Sequence, residues 1–303
     1  MEPDLSIKIG NWTLGNPIMT ASGTFGYGKE FAGFLEIRDL GAVVVKGVSY
    51  ESRSGNPPPR IVETPCGLLN AIGLENVGVE KFIEEKLPYL RDSGAQFVVN
   101  ILADSLEGYA DLAGKLNRDD IPALEVNVSC PNVKKGGLSF GSDPALIREI
   151  SSAVKENFEK TVIVKLSPNV TDIRLLARSV EEGGADAVSL VNTLLGMAID
   201  HRQRKPVLAN IVGGLSGPAI KPVALRMVWE AAGEVRIPVI GIGGIRCLDD
   251  VLEFLLAGAS AVQIGTANLV EPGISAKIVH QLKDYCFEHQ IARVSDLTGA
   301  LLV

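Results

Sequence analysis

The amino-acid sequence predicts an α/β protein with the architecture of a TIM (β/α)8 barrel. From about residue 41 onward, short β-branched runs alternate with amphipathic stretches, as in repeated βα units around a parallel sheet. Eight such runs can be counted, and the 303 residues exceed the roughly 250 that a closed barrel needs. An open doubly wound sheet is the structural alternative, but no Gly-x-Gly-x-x-Gly turn follows the first predicted strand.

The predicted barrel strands are short apolar runs, most of them rich in valine and isoleucine. They span residues 41–48, 96–102, 123–130, 161–167, 187–193, 209–213, 238–245 and 261–267. The sixth run is the weakest, because glycines interrupt it. Two of the intervening helices have clear starts, at Asp143-Pro144 and at Asp172, after which apolar residues recur at helical spacing.

The whole chain, residues 1–303, is predicted to form a single domain with two additions to the barrel. Residues 1–40 should cap the lower end of the barrel, and they include a hairpin in which Gly10-Asn11 joins two short alternating runs. Residues 49–78 are rich in proline and glycine and should form a long loop at the upper rim.

Composition and charge argue against several classes of protein. A net charge of -7 and a pI near 5.2 provide no basic surface for nucleic acid. No apolar run approaches the length of a membrane span, so a soluble, cytoplasmic protein is expected. The cysteines show no Cys-x-x-Cys spacing and the histidines lie far from the predicted strand ends, so no iron–sulfur cluster or other metal site is expected on this chain.

Polar side chains late in five of the predicted strands form a candidate site, because the active site of a TIM barrel lies at the carboxyl ends of its strands. These residues are Lys46, Asn100, Asn127, Lys165 and Asn192. Each lies among aliphatic neighbours, and burying all of them without a common ligand would be costly. The pattern therefore indicates a binding site at one mouth of the barrel.

Glycines at the ends of the last two predicted strands indicate a phosphate-binding site. Gly241-Ile242-Gly243-Gly244 and Gly265-Thr266 offer backbone N–H groups with no side chain in the way, each before a predicted helix. A phosphate beside amides and lysines fits FMN, whose reduced, anionic ring Lys165 would stabilise. The alternative is a barrel in which Lys165 or Lys46 forms a Schiff base with a carbonyl substrate.

Motifs along nearly the whole chain resemble, in order, those of the dihydroorotate dehydrogenases, the flavin enzymes of pyrimidine synthesis. They are NPIMTASGTFG (16–26), VVVKG (43–47), GNPPPR (55–60), GLLNAIGLEN (67–76), NVSCPN (127–132), VKLSPN (164–169), NTLLGM (192–197), GGLSGPAIKP (213–222) and IGIGGI (240–245). With a cysteine at its fourth position, NVSCPN resembles the motif of the soluble class of this family. SGTFGYG and GLLNAIGLEN most resemble the motifs of the NAD-linked branch of that class, class 1B. That branch implies a homodimer of catalytic subunits within a heterotetramer, whose other subunit carries FAD and an iron–sulfur cluster.

The resemblance also implies the residues that contact ligands. FMN contacts are implied for Ser22, Lys46, Gly47, Asn100, Asn127, Lys165, Val191, Gly217, Gly243, Gly244, Gly265 and Thr266. Contacts with dihydroorotate are implied for Lys46, Asn70, Ala71, Ile72, Gly73, Leu74, Asn127, Asn192 and Thr193.

The reaction that the resemblance implies is the oxidation of (S)-dihydroorotate to orotate. Cys130 would be the base that removes the C5 proton, while hydride passes from C6 to N5 of FMN. Pro131 should stiffen the loop that carries the thiol, and residues 134–141 should form a lid. A fumarate-linked dihydroorotate dehydrogenase, another flavin barrel acting on a dihydropyrimidine, and the Schiff-base lyase remain alternatives.

Overall fold

The computed structural model describes residues 2–128 and 140–302, in which strands and helices alternate. In chain order the strands are β1 Ile7–Ile9, β2 Trp12–Leu14, β3 Ile18–Thr20, β4 Val43–Val44, β5 Ile61–Thr64, β6 Gly67–Asn70, β7 Phe97–Ile101, β8 Ala123–Asn127, β9 Thr161–Leu166, β10 Ala187–Leu190, β11 Leu194–Met197, β12 Ile199–Asp200, β13 Lys205–Pro206, β14 Val212–Ser216, β15 Val239–Ile242 and β16 Ala261–Ile264. The α-helices are α1 Val79–Lys81, α2 Leu87–Asp92, α3 Leu106–Lys115, α4 Pro144–Asn157, α5 Ile173–Glu182, α6 Lys221–Ala232, α7 Leu248–Leu256, α8 Ala267–Val270 and α9 Ile274–Glu288. A π-helical turn, Phe82–Lys86, joins α1 to α2, and short 3-10 turns span Lys29–Phe31, Ile37–Asp39, Phe140–Ser142, Pro218–Ile220 and Val294–Leu297.

Eight strands form one parallel sheet that closes on itself. Their order around the sheet is β3-β16-β15-β10-β9-β8-β7-β4. A parallel bridge between Met19 and Ala42 joins its two ends, and the Gly41 N–H donates to the Ile18 carbonyl at 2.8 Å beside it. Helices follow the strands around the sheet, so the predicted TIM barrel is confirmed.

The barrel strands are buried on both faces, as expected where helices cover the outside. Every residue of β7, β9, β15 and β16 is buried. Helix α4 turns Ile147, Ile150 and Val154 inward, which is the predicted apolar face. Both predicted helix starts are confirmed, since the Asp143 and Asp172 side chains accept hydrogen bonds from backbone N–H groups in the first turns of α4 and α5.

Two features of the predicted barrel are wrong. The run at 209–213 is not a barrel strand, because β14 begins at Val212 and pairs antiparallel with β6 and β11 outside the barrel. Its glycines allow this packing: a Cβ on Gly213 would lie 2.8 Å from the carbonyl oxygen of Asn70. The eighth barrel strand is instead β3, a fully buried run of three residues that the prediction had assigned to the N-terminal cap.

The segment 49–78 is more ordered than the predicted loop. It contains β5 and β6, which join β14 and β11 in a four-stranded antiparallel sheet of order β11-β14-β6-β5. This sheet covers a small apolar cluster of Leu69, Ala71 and Leu208 that is separate from the main core. The sheet follows β4 and β10 in the chain, so it stands beside the carboxyl ends of the barrel strands.

The predicted hairpin near the N-terminus is confirmed, with β1 paired antiparallel to β2. The Trp12 indole donates to Gln96 Oε1 at 2.9 Å, and Gln96 immediately precedes β7. The hairpin therefore contacts the amino-terminal end of the barrel. No helix in the described ranges is long and apolar enough to cross a bilayer, and the cytoplasmic location stays a prediction.

We expect Gly41→Ala to destabilise the fold at the closure of the barrel. A Cβ at this position would lie 2.1 Å from the carbonyl oxygen of Asn16, so the backbone of β4 or β3 would have to move. The expected loss is about 1–3 kcal/mol of unfolding free energy, measured by urea denaturation. Gly15→Ala is the control, because a Cβ there would meet no atom within 4 Å. Equal stability of the two variants would contradict the closure described here.

Candidate active site

The centre of the candidate site is a buried carboxylate inside the barrel. Glu125 lies on β8, two residues before Asn127, so both side chains point to the same face of the strand. Its Oε1 accepts a hydrogen bond from Asn100 Nδ2 at 2.7 Å, and its Oε2 accepts bonds from Ser189 Oγ at 2.9 Å and Gln263 Nε2 at 2.6 Å. The side chain is fully buried, and a buried carboxylate needs this number of donors.

Lys165 lies beside this carboxylate at the mouth of the barrel. Its Nζ is 3.6 Å from Glu125 Oε1 and donates to Ser22 Oγ at 3.2 Å. Only 5% of the Lys165 side chain is exposed, so its charge is compensated by Glu125 rather than by solvent. The structure therefore brings together Ser22, Asn100 and Lys165, three of the residues predicted to contact a cofactor.

The second predicted lysine has a more open environment. Lys46 Nζ lies 3.8 Å from Glu75 Oε2, which also accepts a 2.6 Å bond from Arg60 Nη2. The next residue, Gly47, lies against Asn100, since a Cβ there would be 3.0 Å from Asn100 Oδ1. Lys46 is thus beside the same mouth and pairs with a half-exposed carboxylate that an anionic ligand can replace.

The predicted substrate asparagines connect the barrel mouth to the rim sheet. Asn192 Nδ2 donates to Asn127 Oδ1 at 3.3 Å, and the Asn192 Oδ1 accepts from the Thr193 N–H at 2.8 Å. A Cβ on Gly214 would lie 2.1 Å from Thr193 Oγ1, and Asn70 Nδ2 donates to the Gly214 carbonyl at 3.3 Å. Asn70, Asn127, Asn192 and Thr193 therefore form one continuous contact path.

Residues 71–74 continue from Asn70 as a tight turn at the rim. Asn56 holds this turn, because its Nδ2 donates to the Ala71 carbonyl at 2.9 Å and its N–H donates to the Ile72 carbonyl at 2.9 Å. Gly73 and Leu74 both have positive φ, of 77° and 59°. Leucine rarely adopts this backbone conformation, so the turn is held by its surroundings.

The predicted phosphate-binding glycines lie near Gly217, a predicted FMN contact, on the opposite side of the mouth. Gly217 and Gly244 are in contact, since a Cβ on Gly244 would lie 2.9 Å from the Gly217 carbonyl oxygen. Gly243 packs against Val191, and Thr266 packs against Gly217. Gly265 lies next to Ala21, which precedes Ser22. The glycine turn after β16 is therefore close to Ser22, which accepts a hydrogen bond from Lys165.

A charged cluster fixes the helix behind these glycines. Lys221 begins α6, and its Nζ pairs with Asp250 Oδ1 at 2.6 Å and Glu253 Oε2 at 2.8 Å. Burial opposes ionisation of Asp250, but hydrogen bonds from Lys221, the Arg246 N–H and the Cys247 thiol outweigh it and hold the pKa of Asp250 below its usual value. Burial likewise opposes the charge of Lys221, and its two acidic partners raise its pKa above the usual value.

Cys130, Pro131 and most of the predicted lid, residues 134–139, lie outside the described residues. Gly141, the last residue of the predicted lid, is placed within reach of the end of β8, since a Cβ there would be 3.1 Å from the Val128 carbonyl oxygen. Among residues 2–128 and 140–302, no group of His, Cys, Asp or Glu side chains is arranged to hold a metal ion.

Sequence reasoning missed Glu125, together with its partners Ser189 and Gln263. The residue lies in the run 123–126, Ala-Leu-Glu-Val, where three aliphatic residues made the segment look uniformly apolar. A charged residue inside a buried strand, two positions from a predicted site residue, was the available indication. Gly241 lies within β15 and packs against Phe254, and the individual roles of the other predicted site residues stay predictions.

Comparison with known proteins agrees with this architecture. A profile of the dihydroorotate dehydrogenase family matches residues 4–286. The chain belongs to the dihydroorotate dehydrogenase family. It is 56% identical over 304 residues to a protein of Pelobacter propionicus named dihydroorotate dehydrogenase B (NAD(+)), catalytic subunit, with 99% of each chain covered.

Other members of the family give the same result. Proteins with the same name from Geotalea uraniireducens and a Thermoanaerobacter species are 55% and 52% identical, with 99% of this chain and 99% of each relative covered. The resemblance predicted from the motifs, to dihydroorotate dehydrogenases and to their NAD-linked branch, is therefore confirmed.

Asp250→Asn should destabilise the protein by about 2 kcal/mol at pH 7, because Lys221 and the Arg246 N–H lose a charged acceptor. A lowered pKa in the folded state means that ionised Asp250 stabilises the fold above about pH 4 and that this contribution disappears as the pH falls through the folded pKa. The difference in urea midpoint between the parent and Asp250→Asn should therefore shrink between pH 5 and strongly acidic buffer, roughly pH 2–3. Asp249→Asn, at an exposed neighbouring position, is the control. A difference independent of pH would contradict the ion pair.

Proposed function

We propose that this chain oxidises (S)-dihydroorotate to orotate in the de novo biosynthesis of UMP, as the catalytic subunit of a class 1B dihydroorotate dehydrogenase. The observation that carries the proposal is the composition of the barrel mouth. Lysine and asparagine side chains lie at the ends of neighbouring barrel strands, and glycine turns follow β15 and β16. This arrangement provides cations and amides for an anionic, amide-rich ring and exposed backbone for a phosphate.

FMN is the cofactor that we propose for this site, and the residues present fit it. Added Cβ atoms at Gly217, Gly243 and Gly244 would lie within 3 Å of neighbouring atoms, so these turns keep bare backbone at the mouth. Gly265 and Thr266 would bind the phosphate with them, and Ser22, Lys46, Gly47, Asn100, Asn127, Lys165 and Val191 would contact the rest of the cofactor. FMN, when bound, supplies at N5 the acceptor for the hydride that leaves C6 of the substrate.

The chain's own side chains would bind and orient the substrate. Lys46 can exchange Glu75 for the substrate carboxylate, since that ion pair is long at 3.8 Å and half-exposed. Asn70, Asn127 and Asn192 offer amide donors and acceptors to the imide and amide groups of the ring. A ligand without those groups would leave the asparagines unpaired, so the site selects dihydroorotate over apolar rings of the same shape.

The turn after Asn70 would close the other side of the substrate. Ala71, Ile72, Gly73 and Leu74 form this turn, and Asn56 fixes its backbone. Thr193 completes the contacts on the side of the rim sheet, where Asn169 Nδ2 holds its carbonyl at 2.9 Å. These residues orient the substrate and exclude water from it.

Cys130 is the base that we propose for the C5 proton. It follows the last residue of β8, Asn127, by three positions, a distance that an extended chain covers in about 10 Å. The thiol can therefore reach the substrate that Asn127 contacts. A thiolate would take the proton from C5, and a neutral thiol would remain after the step.

Cys130→Ser should slow the reduction of bound flavin by dihydroorotate about 10²–10⁴ times at neutral pH, the usual worth of a positioned base. Binding of FMN and orotate should persist, since serine preserves the shape. Anaerobic rapid mixing measures the rate. Cys66→Ser provides the control, because Cys66 is an exposed cysteine at the rim. Near-parental reduction by Cys130→Ser would assign the proton transfer to another group.

An electron-transfer subunit is the partner that we propose, because the relatives of this chain are named as catalytic subunits of an NAD(+) enzyme. That subunit would carry FAD and an iron–sulfur cluster, and two copies of this chain would form the centre of a heterotetramer. Native mass measurement after gentle purification from the source organism should therefore give a complex of two copies of each chain. An isolated chain that reduces NAD efficiently, or prefers fumarate, would contradict this assignment.

The purified chain should bind one FMN and appear yellow, and dihydroorotate should bleach it under anaerobic conditions. The visible absorbance of the oxidised flavin would follow this titration. Bleaching by another dihydropyrimidine alone would favour a related flavin barrel. A colourless protein that borohydride traps with a carbonyl substrate would favour the Schiff-base lyase.

A further inference from the structure

Glu125 has no role in the reaction proposed above, yet it is a fully buried charged group with four polar partners, directly below the barrel mouth. Asn100, Ser189 and Gln263 donate to its two oxygens, and Lys165 lies 3.6 Å away. These four partners come from β7, β10, β16 and β9. The carboxylate therefore contacts two residues of the proposed flavin site from below, without reaching the mouth itself.

The buried charges of Glu125 and Lys165 compensate each other. Glu125 is fully buried and the Lys165 side chain is 5% exposed, so neither charge is screened by water. Three neutral donors satisfy the oxygens of the buried carboxylate, and the carboxylate in turn compensates the charge of Lys165. Lys165 also donates to Ser22 Oγ at 3.2 Å, and an ammonium group has three donors in all.

We propose that Glu125 is a positioning residue of the flavin site, which fixes the orientation of Lys165 and Asn100 and offsets the positive charge that Lys165 presents to the cofactor. The proposal rests on the function proposed above. Because Glu125 is fully buried, it would act through the two side chains that it holds.

The sign of the effect on the cofactor follows from charge. A reduced flavin gains negative charge, and a nearby ammonium group stabilises it relative to the oxidised form. The Glu125 carboxylate weakens that preference. Removing its charge should therefore raise the reduction potential of bound FMN, by an amount that corresponds to about tenfold tighter binding of the reduced form, or about 30 mV for a two-electron couple.

Glu125→Gln and Glu125→Asp separate charge from geometry. Glutamine keeps the size and removes the charge, and Gln263 can rotate to accept from it, since Gln263 Oε1 has no hydrogen-bond partner within the described part of the chain. Aspartate keeps the charge and shortens the side chain by one methylene. Anaerobic spectroelectrochemistry of the FMN-loaded chain should show a raised potential in Glu125→Gln and a value near the parent in Glu125→Asp. Equal shifts in both variants, or no shift in either, would overturn the proposal.

A second measurement does not depend on flavin. Lys165→Met leaves the carboxylate uncompensated and Glu125→Gln leaves the ammonium uncompensated, so each should lower the thermal midpoint of the flavin-free full-length chain. The double variant has neither charge, and its loss should be smaller than the sum of the two single losses. If a single variant fails to fold and the double variant folds, that result would also support the Glu125–Lys165 charge pair. Additive losses, or a double variant that does not fold, would overturn it.

The experiments distinguish a failure of the proposed function from a failure of the proposed role of Glu125. If the proposed function is wrong, the parent chain will not bind FMN or will not be bleached by dihydroorotate. If only the role of Glu125 is wrong, the parent chain will behave as proposed and the variants will show no dependence on charge.

Discussion

The buried carboxylate of Glu125 is the interaction on which the candidate site depends. Its donors and its counter-ion belong to four other strands, so one side chain connects five of the eight strands across the barrel interior. An ionised group in that position is stable only while those partners hold their places. The need to satisfy it thus fixes Asn100 and Lys165, and with them the floor of the mouth.

The opposite side of the mouth follows a different constraint, which is close packing of backbone. Gly217, Gly243 and Gly244 allow the start of α6 to approach the end of β15, and a Cβ at any of them would meet a neighbouring atom within 3 Å. Lys221, paired with Asp250 and Glu253, holds the helix in that position. The site therefore has charged and amide groups on one side and exposed backbone on the other. This combination is suited to a phosphorylated, polar cofactor.

Much of this arrangement could be predicted from the sequence, because short β-branched runs, helix caps at Asp143 and Asp172, and polar residues at strand ends are local patterns. The barrel strand β3 was missed because three residues carry too little periodicity to distinguish them from the preceding hairpin. Residues 209–213 were misplaced because pairing partners, and not composition, decide whether a glycine-rich run enters the barrel. Glu125 was missed because its meaning depends on Ser189 and Gln263, which are 64 and 138 residues away in the chain.

A crystal structure of the chain with FMN and orotate bound would show whether Glu125 and Lys165 organise the flavin site. We expect the phosphate to lie against the backbone of Gly243, Gly244 and Gly265, and Lys165 to contact the flavin while it keeps Glu125 as its counter-ion. We also expect orotate to lie between the flavin and the asparagines of the mouth. A flavin bound elsewhere, or a Lys165 side chain turned away from both the flavin and Glu125, would contradict these expectations.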